Sequence, residues 1–87
     1  MQMIVQQTVT DFADWKAAFD KDHEARRAAG LTVLQIWQEA GSDTQAFVLM
    51  QVNDRARAQA WIDRSDALAS DDGGTVTAST AHFLETR

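Results

Sequence analysis

The sequence predicts an α+β domain with the element order strand, helix, strand, strand, helix, strand. Three observations carry this expectation: period-two alternation at the start of the chain, two stretches of helical spacing that each follow a capping side chain, and a central pair of apolar runs joined by turn residues.

From Gln2 to Val9 the side chains alternate. Met3, Val5, Gln7 and Val9 share one face and Gln2, Ile4, Gln6 and Thr8 the other, as a strand requires. At Thr10-Asp11 a capping side chain is followed by Asp14 at three residues, and Phe12, Trp15, Phe19 and Arg26 then recur at helical spacing, so a helix runs to about Ala29. Gly30 supplies the backbone freedom that ends it. Leu31 to Ala40 is rich in β-branched, aromatic and apolar residues. After Gly41-Ser42-Asp43 a second apolar run spans Thr44 to Val52, so the two form a β-hairpin. Asn53 or Asp54 caps a second helix, in which Ala58, Trp61, Ile62, Ser65, Leu68 and Ala69 share one face while Arg57, Asp63, Arg64 and Asp66 mostly lie elsewhere. That helix ends before Asp71-Asp72-Gly73-Gly74. The last run, Thr75 to Glu85, opens on Thr75-Val76-Thr77 and ends in Phe83-Leu84, which makes it the final strand. Each half of the chain is therefore a strand–helix–strand unit. Two such units joined through a hairpin give a ferredoxin-like βαββαβ fold over residues 1–87: a four-stranded antiparallel sheet with both helices on one face, where right-handed crossovers place them.

Composition narrows the function. A chain of 87 residues is one small domain, and such a domain buries only about 60–65% of the surface its unfolded chain exposes. It has no cysteine, so disulfide staples, thiolate metal sites and thiol nucleophiles are excluded, and a cytoplasmic location is expected. No apolar run reaches the length of a membrane span. The net charge of −5 repels a phosphate backbone, so nucleic acid is not an expected partner.

With both helices on one side of the sheet, the other side should turn polar if it met water. It does not. Ala46, Val48, Met50 and Val52 form one face of the third strand and Phe47, Leu49, Gln51 and Asn53 the other; the second strand adds Leu34 and Ile36 to one face and Val33, Gln35 and Trp37 to the opposite one. Between Leu31 and Val52 there is no Lys or Arg, and every basic residue except Arg87 falls on a helix. An exposed patch holding Trp37, Phe47 and Leu49 would reach several hundred Å², at or beyond what monomers tolerate. The simplest cover is a second copy, because a two-fold axis makes one face complementary to itself. A homodimer through the open sheet face is expected.

The element order, the Asp14-Trp15-Lys16-Ala17-Ala18-Phe19 segment, the Arg26 to Gly30 helix end and the dry hairpin resemble the dimeric α/β-barrel superfamily, and within it small bacterial proteins related to antibiotic-biosynthesis monooxygenases and polyketide cyclases. The resemblance implies two sheets facing each other in a dimer, with a barrel-like cavity between sheet and helices in each subunit. It also implies a range of activities: cofactor-independent oxygenases, cyclases, isomerases, haem-degrading enzymes and proteins without known activity. Trp61 to Leu68 is similar to the Trp-containing helix of the haem-degrading members, but the stretch continues to Asp71 and Asp72 where those enzymes have a histidine ligand. The first strand likewise offers Gln6, Gln7 and Thr8 where they use an Asn. These departures argue against haem, and no cofactor is expected.

The candidate site residues follow from strand parity and helix spacing. Gln6, Gln35, Gln51 and Trp37, with Thr8, fall on one face and would line an apolar pocket with neutral amide groups, suited to a flat organic molecule; the same glutamines could instead satisfy one another within a dimer interface. His82 lies in phase with Thr80, Ala78 and Leu84 and would act as an acid–base group if that face is the interior one. His23 follows Phe19 by four residues and Trp15 by eight, which puts it on the helix face that enters the core, near the helix end. Arg26, three residues on, could grip a carboxylate or an enolate, or pair with Asp22. No metal-ligand spacing, nucleophile triad or phosphate loop is present. Two readings therefore remain open: a binding dimer without catalysis, and a cofactor-independent monooxygenase, cyclase or isomerase acting on a small aromatic or polyketide-like molecule.

Overall fold

A computed structural model describes residues 1–71 and 76–87, with residues 65–71 through their backbone alone. Its elements are β1 (Gln2–Val9), α1 (Phe12–Lys21), α2 (His23–Ala28), β2 (Leu31–Gln38), β3 (Gln45–Val52), α3 (Arg55–Asp71) and β4 (Val76–Leu84). The sheet order is β2-β3-β1-β4 with every neighbouring pair antiparallel, which is the ferredoxin-like α+β fold. No helix among the described residues is long and apolar enough to cross a membrane.

The core lies between the helices and one face of the sheet. Met3, Val5 and Val9 of β1 stand beside Ala46, Val48, Met50 and Val52 of β3, all buried, and the helices bring Trp15, Ala29, Ala58 and Trp61 down on them. This is the set that β1 and β3 alternation predicts. Gln7 occupies the same face and is buried with it. Its presence there is explained by Trp15, whose Nε1 donates to Gln7 Oε1 at 2.8 Å; Gln7 Nε2 in turn lies 3.5 Å from Ser79 Oγ. A buried amide and a buried indole thus satisfy each other.

Two expectations are corrected. The first helix is not continuous to Ala29. It breaks at Asp22 (φ −94°, ψ 17°), although no Pro or Gly is nearby. The cause is visible at Phe19, whose carbonyl oxygen accepts from Asp22 N–H at 3.1 Å and from Arg26 Nη1 at 2.6 Å, where an unbroken helix would offer it the His23 N–H. A side chain inserted into the helical ladder kinks it.

The second correction concerns β2. Val33 pairs with Met50 and Gln35 with Leu49, so Leu34 is an unpaired extra residue and the alternation resets there. Val33 and Ile36 therefore both face the core, and Val33 does not share a face with Gln35 and Trp37.

The helix ends follow local chemistry. Asp11, extended, caps α1 through Asp14 N–H at 3.1 Å, and Asp54 caps α3 through Arg57 N–H at 3.1 Å. Gly30 (φ 73°) turns the chain from α2 into β2, and a Cβ there would stand 3.4 Å from the Asp54 backbone nitrogen. Gly41 (φ 79°) takes the third place of a turn closed by Ser42 N–H to the Glu39 carbonyl oxygen at 3.1 Å. Ser65, Asp66, Leu68 and Ala69, assigned from sequence to faces of the second helix, lie among the residues described through backbone alone, and the Asp72-Gly73-Gly74-Thr75 stretch lies outside the described residues.

Candidate functional site

The sheet's pairing sorts the candidate residues onto two opposite surfaces. On the face turned away from the helices, four cross-strand rows run from β2 or β3 to β4: Gln45, Thr8 and Ala78; then Trp37, Phe47, Gln6 and Thr80; then Gln35, Leu49, Ile4 and His82; then Thr32, Gln51, Gln2 and Leu84. Trp37, Gln6, Gln35, Gln51 and His82 thus share one surface, as parity predicts. In the single chain that surface is open and not an enclosed cavity: Trp37 is 42% exposed, Leu84 is 43% exposed, and Phe47, Leu49 and Ile4 are half-buried between them.

The chemistry of this face is neutral. None of the residues in its rows is Asp, Glu, Lys or Arg, and His82 is the one ionisable side chain among them. The amides take local partners. Gln6 Nε2 donates to Gln45 Oε1 at 3.3 Å, Gln45 Nε2 to Thr8 Oγ1 at 3.3 Å, and Gln35 Nε2 to the Ile36 carbonyl oxygen at 3.3 Å. An apolar diagonal from Trp37 through Phe47, Leu49 and Ile4 to Leu84 is therefore bordered by glutamines, of which Gln6, Gln35 and Gln45 hydrogen-bond within their own chain.

His23 and Arg26 stand on the other side of the sheet. They border a groove of about 400 Å³ between the α1–α2 kink and β2, whose apolar wall is Phe19, Leu31, Val33 and Ile36. His23 does not enter the core. Because the helix restarts at Asp22, its phase is lost, and the imidazole lies at the exposed rim with Nε2 3.1 Å from Glu24 Oε1.

Arg26 goes the other way and is buried. Its guanidinium lies 3.7 Å from the centroid of the Phe19 ring while Nη1 donates to the Phe19 carbonyl oxygen. Neither of the two sequence readings, a carboxylate grip or a pair with Asp22, describes this bond. Burial lowers the Arg26 pKa from its ordinary value, against the opposing pull of the Asp22 and Asp20 carboxylates.

Arg26 is therefore first a clip across the kink. Replacing it with Met, which keeps most of the volume, is expected to cost about 1–2 kcal/mol through loss of one charge-assisted hydrogen bond and one cation–π contact. Urea denaturation at fixed protein concentration measures it; a change below about 0.5 kcal/mol would mean the clip adds nothing.

A further feature escapes sequence reasoning. Trp61 is buried and its indole N–H has no hydrogen-bond partner among the described residues. It lines a groove of about 420 Å³ between α2 and α3. The signal in the sequence is faint: alanines at positions 25, 28, 29 and 60 leave both helices without bulk where they meet, but only the fold reveals that they meet.

Among the described residues no group of three His, Asp or Glu side chains is placed to hold a metal ion. Comparison with known proteins finds no family model, no curated protein and no solved structure that matches this chain.

Proposed function

We propose that the protein works as a homodimer, closed through the open face of the sheet, which holds a small molecule in its helix layer without catalysis. The observation that carries this reading is the absence of Asp, Glu, Lys and Arg from the cross-strand rows of the open face, together with their apolar diagonal. A two-fold interface brings like residues near like, so a charged face would repel its own copy and a neutral one does not.

The size also suits a second copy. At about 4.8 Å between strands and 3.3 Å per residue, four strands of this length present a plan area of about 500 Å². With side-chain relief added, that approaches the roughly 600–1,000 Å² per partner of specific interfaces. Gln6, Gln35 and Gln45 each donate one amide hydrogen bond within their own chain, which lowers the cost of carrying them into such an interface.

Binding is favoured over catalysis by the surroundings of the two histidines. His23 stands at a solvent rim beside Glu24, and the proposed closure lays a second copy over the row of Ile4, Leu49 and His82, where it leaves His82 no substrate to meet. A general base is most effective where it is held against a reacting group away from water. The two grooves of the helix layer, by contrast, have volumes suited to small ligands.

Sedimentation equilibrium from nanomolar to micromolar concentration tests the assembly. A mass of twice 9.7 kDa at micromolar concentration is expected. A clean monomer throughout that range would sink the reading.

A further inference from the structure

We infer that the groove between α2 and α3 binds a small molecule with an apolar body and an anionic end, a carboxylate or a sulfonate. This rests on the small-molecule half of the proposed function and is independent of the dimer.

The groove exists because of what its walls lack. Ala28 of α2, Ala29 just after it and Ala60 of α3 line the groove, so among the described residues no long side chain fills the space of about 420 Å³ between the helices. Trp61 closes one wall with a buried aromatic ring, which gives an apolar body something flat to pack against. Its N–H has no partner among the described residues but lies beneath the surface, so a ligand in the groove meets the ring and not the donor.

Charge decides the class. Arg57 and Arg64 are seven residues apart on α3, hence on one side of it, with Ala60 and Trp61 between them. Among the described residues the lining carries these two guanidinium groups and no carboxylate, in a chain whose net charge is −5. Arg57 is only loosely engaged, its Nε 3.7 Å from Asp54 Oδ2, and the side chain remains largely exposed. A planar guanidinium above an apolar floor recognises an oxyanion through paired N–H donors. An uncharged molecule of the same shape would forgo these contacts.

The test uses 8-anilinonaphthalene-1-sulfonate and its uncharged counterpart N-phenyl-1-naphthylamine as fluorescent probes on the full chain. Saturable binding of the sulfonate at one site per chain is expected, tighter than the neutral probe by about tenfold or more. The Arg57→Gln/Arg64→Gln double variant should remove that preference and leave the weaker neutral binding in place. Ala60→Leu, which fills the groove from an exposed position, should weaken both probes. Arg27→Gln removes one positive charge beside the α1–β2 groove instead and should change neither.

Equal affinity for the two probes overturns the proposal, as does a preference for the sulfonate that survives the double variant. Loss of binding in Arg27→Gln alone would assign the ligand to the neighbouring groove, which overturns this site and leaves the proposed function standing. No saturable binding of either probe overturns both the site and the small-molecule half of that function.

Discussion

Trp15→Ala is expected to cost about 3–5 kcal/mol, the range for deleting a fully buried aromatic side chain. That is a large share of the roughly 5–15 kcal/mol that holds a domain together, so the variant should be largely unfolded near its working temperature. The reason is that Trp15 joins the helix layer to the sheet. It is 2% exposed, it packs between Phe12 and Phe19 with ring centroids at 5.4 and 4.9 Å, and its N–H serves the buried Gln7 amide. Phe19 in turn carries Arg26 on its face. Truncation opens a cavity under α1 and leaves Gln7 Oε1 without its donor at once.

Two further substitutions separate these effects. Trp15→Phe keeps most of the packing and removes the N–H, so its cost should be the penalty of an unsatisfied buried acceptor, about 1–3 kcal/mol. Adding Gln7→Leu to Trp15→Phe removes that acceptor, and the double variant should be more stable than the two single costs predict by summation. Urea titrations at one fixed protein concentration read the cycle, since the proposed dimer would make apparent stability depend on concentration. Strict additivity would mean that the 2.8 Å bond contributes nothing.

How far the sequence reveals this architecture depends on which interactions are local. β1 and β3 could be read because their buried and exposed positions alternate without interruption, and the Asp11 and Asp54 caps because each acts within three residues. The break at Asp22 could not. It depends on Arg26 reaching back seven residues to a carbonyl, and helical spacing contains no mark of that reach. The same event turns His23 to solvent, so the error in its placement follows from the error in the helix.

The bulge at Leu34 was illegible for a different reason. Both faces of β2 are apolar, so a shift of one residue leaves the hydrophobic pattern looking intact, and only pairing with β3 reveals that Val33 faces the core. For the candidate residues, parity put Gln6, Gln35, Gln51, Trp37 and His82 on one surface. It carried no information about the depth of that surface, which is set by the helices lying on the opposite side. The Trp61 groove needs the packing of two helices far apart in the chain.

Trp37→Glu is expected to convert the proposed dimer into a folded monomer. In the single chain Trp37 is exposed enough to be changed without disturbing the core, and its cross-strand partner Phe47 lies beside it on the open face. An interfacial Trp typically contributes about 2 kcal/mol or more. A two-fold interface loses it twice, so the combined cost of about 4 kcal/mol weakens dimerisation roughly a thousandfold. The new carboxylate adds to this, because a neutral face offers it no cation and its burial goes uncompensated.

Ala17→Glu, on the exposed side of α1, brings the same change in charge and should leave the mass unchanged. Sedimentation gives the masses, and thermal melts of both variants show that the fold survives. Salt adds an independent check on which surface closes the proposed dimer. Closure through the neutral sheet face should be insensitive to ionic strength, whereas closure through the helix layer, where every Lys and Arg except Arg87 resides, would respond to screening. A dimer that persists in Trp37→Glu and changes affinity with salt would place the interface on the helices and return the open sheet face to solvent.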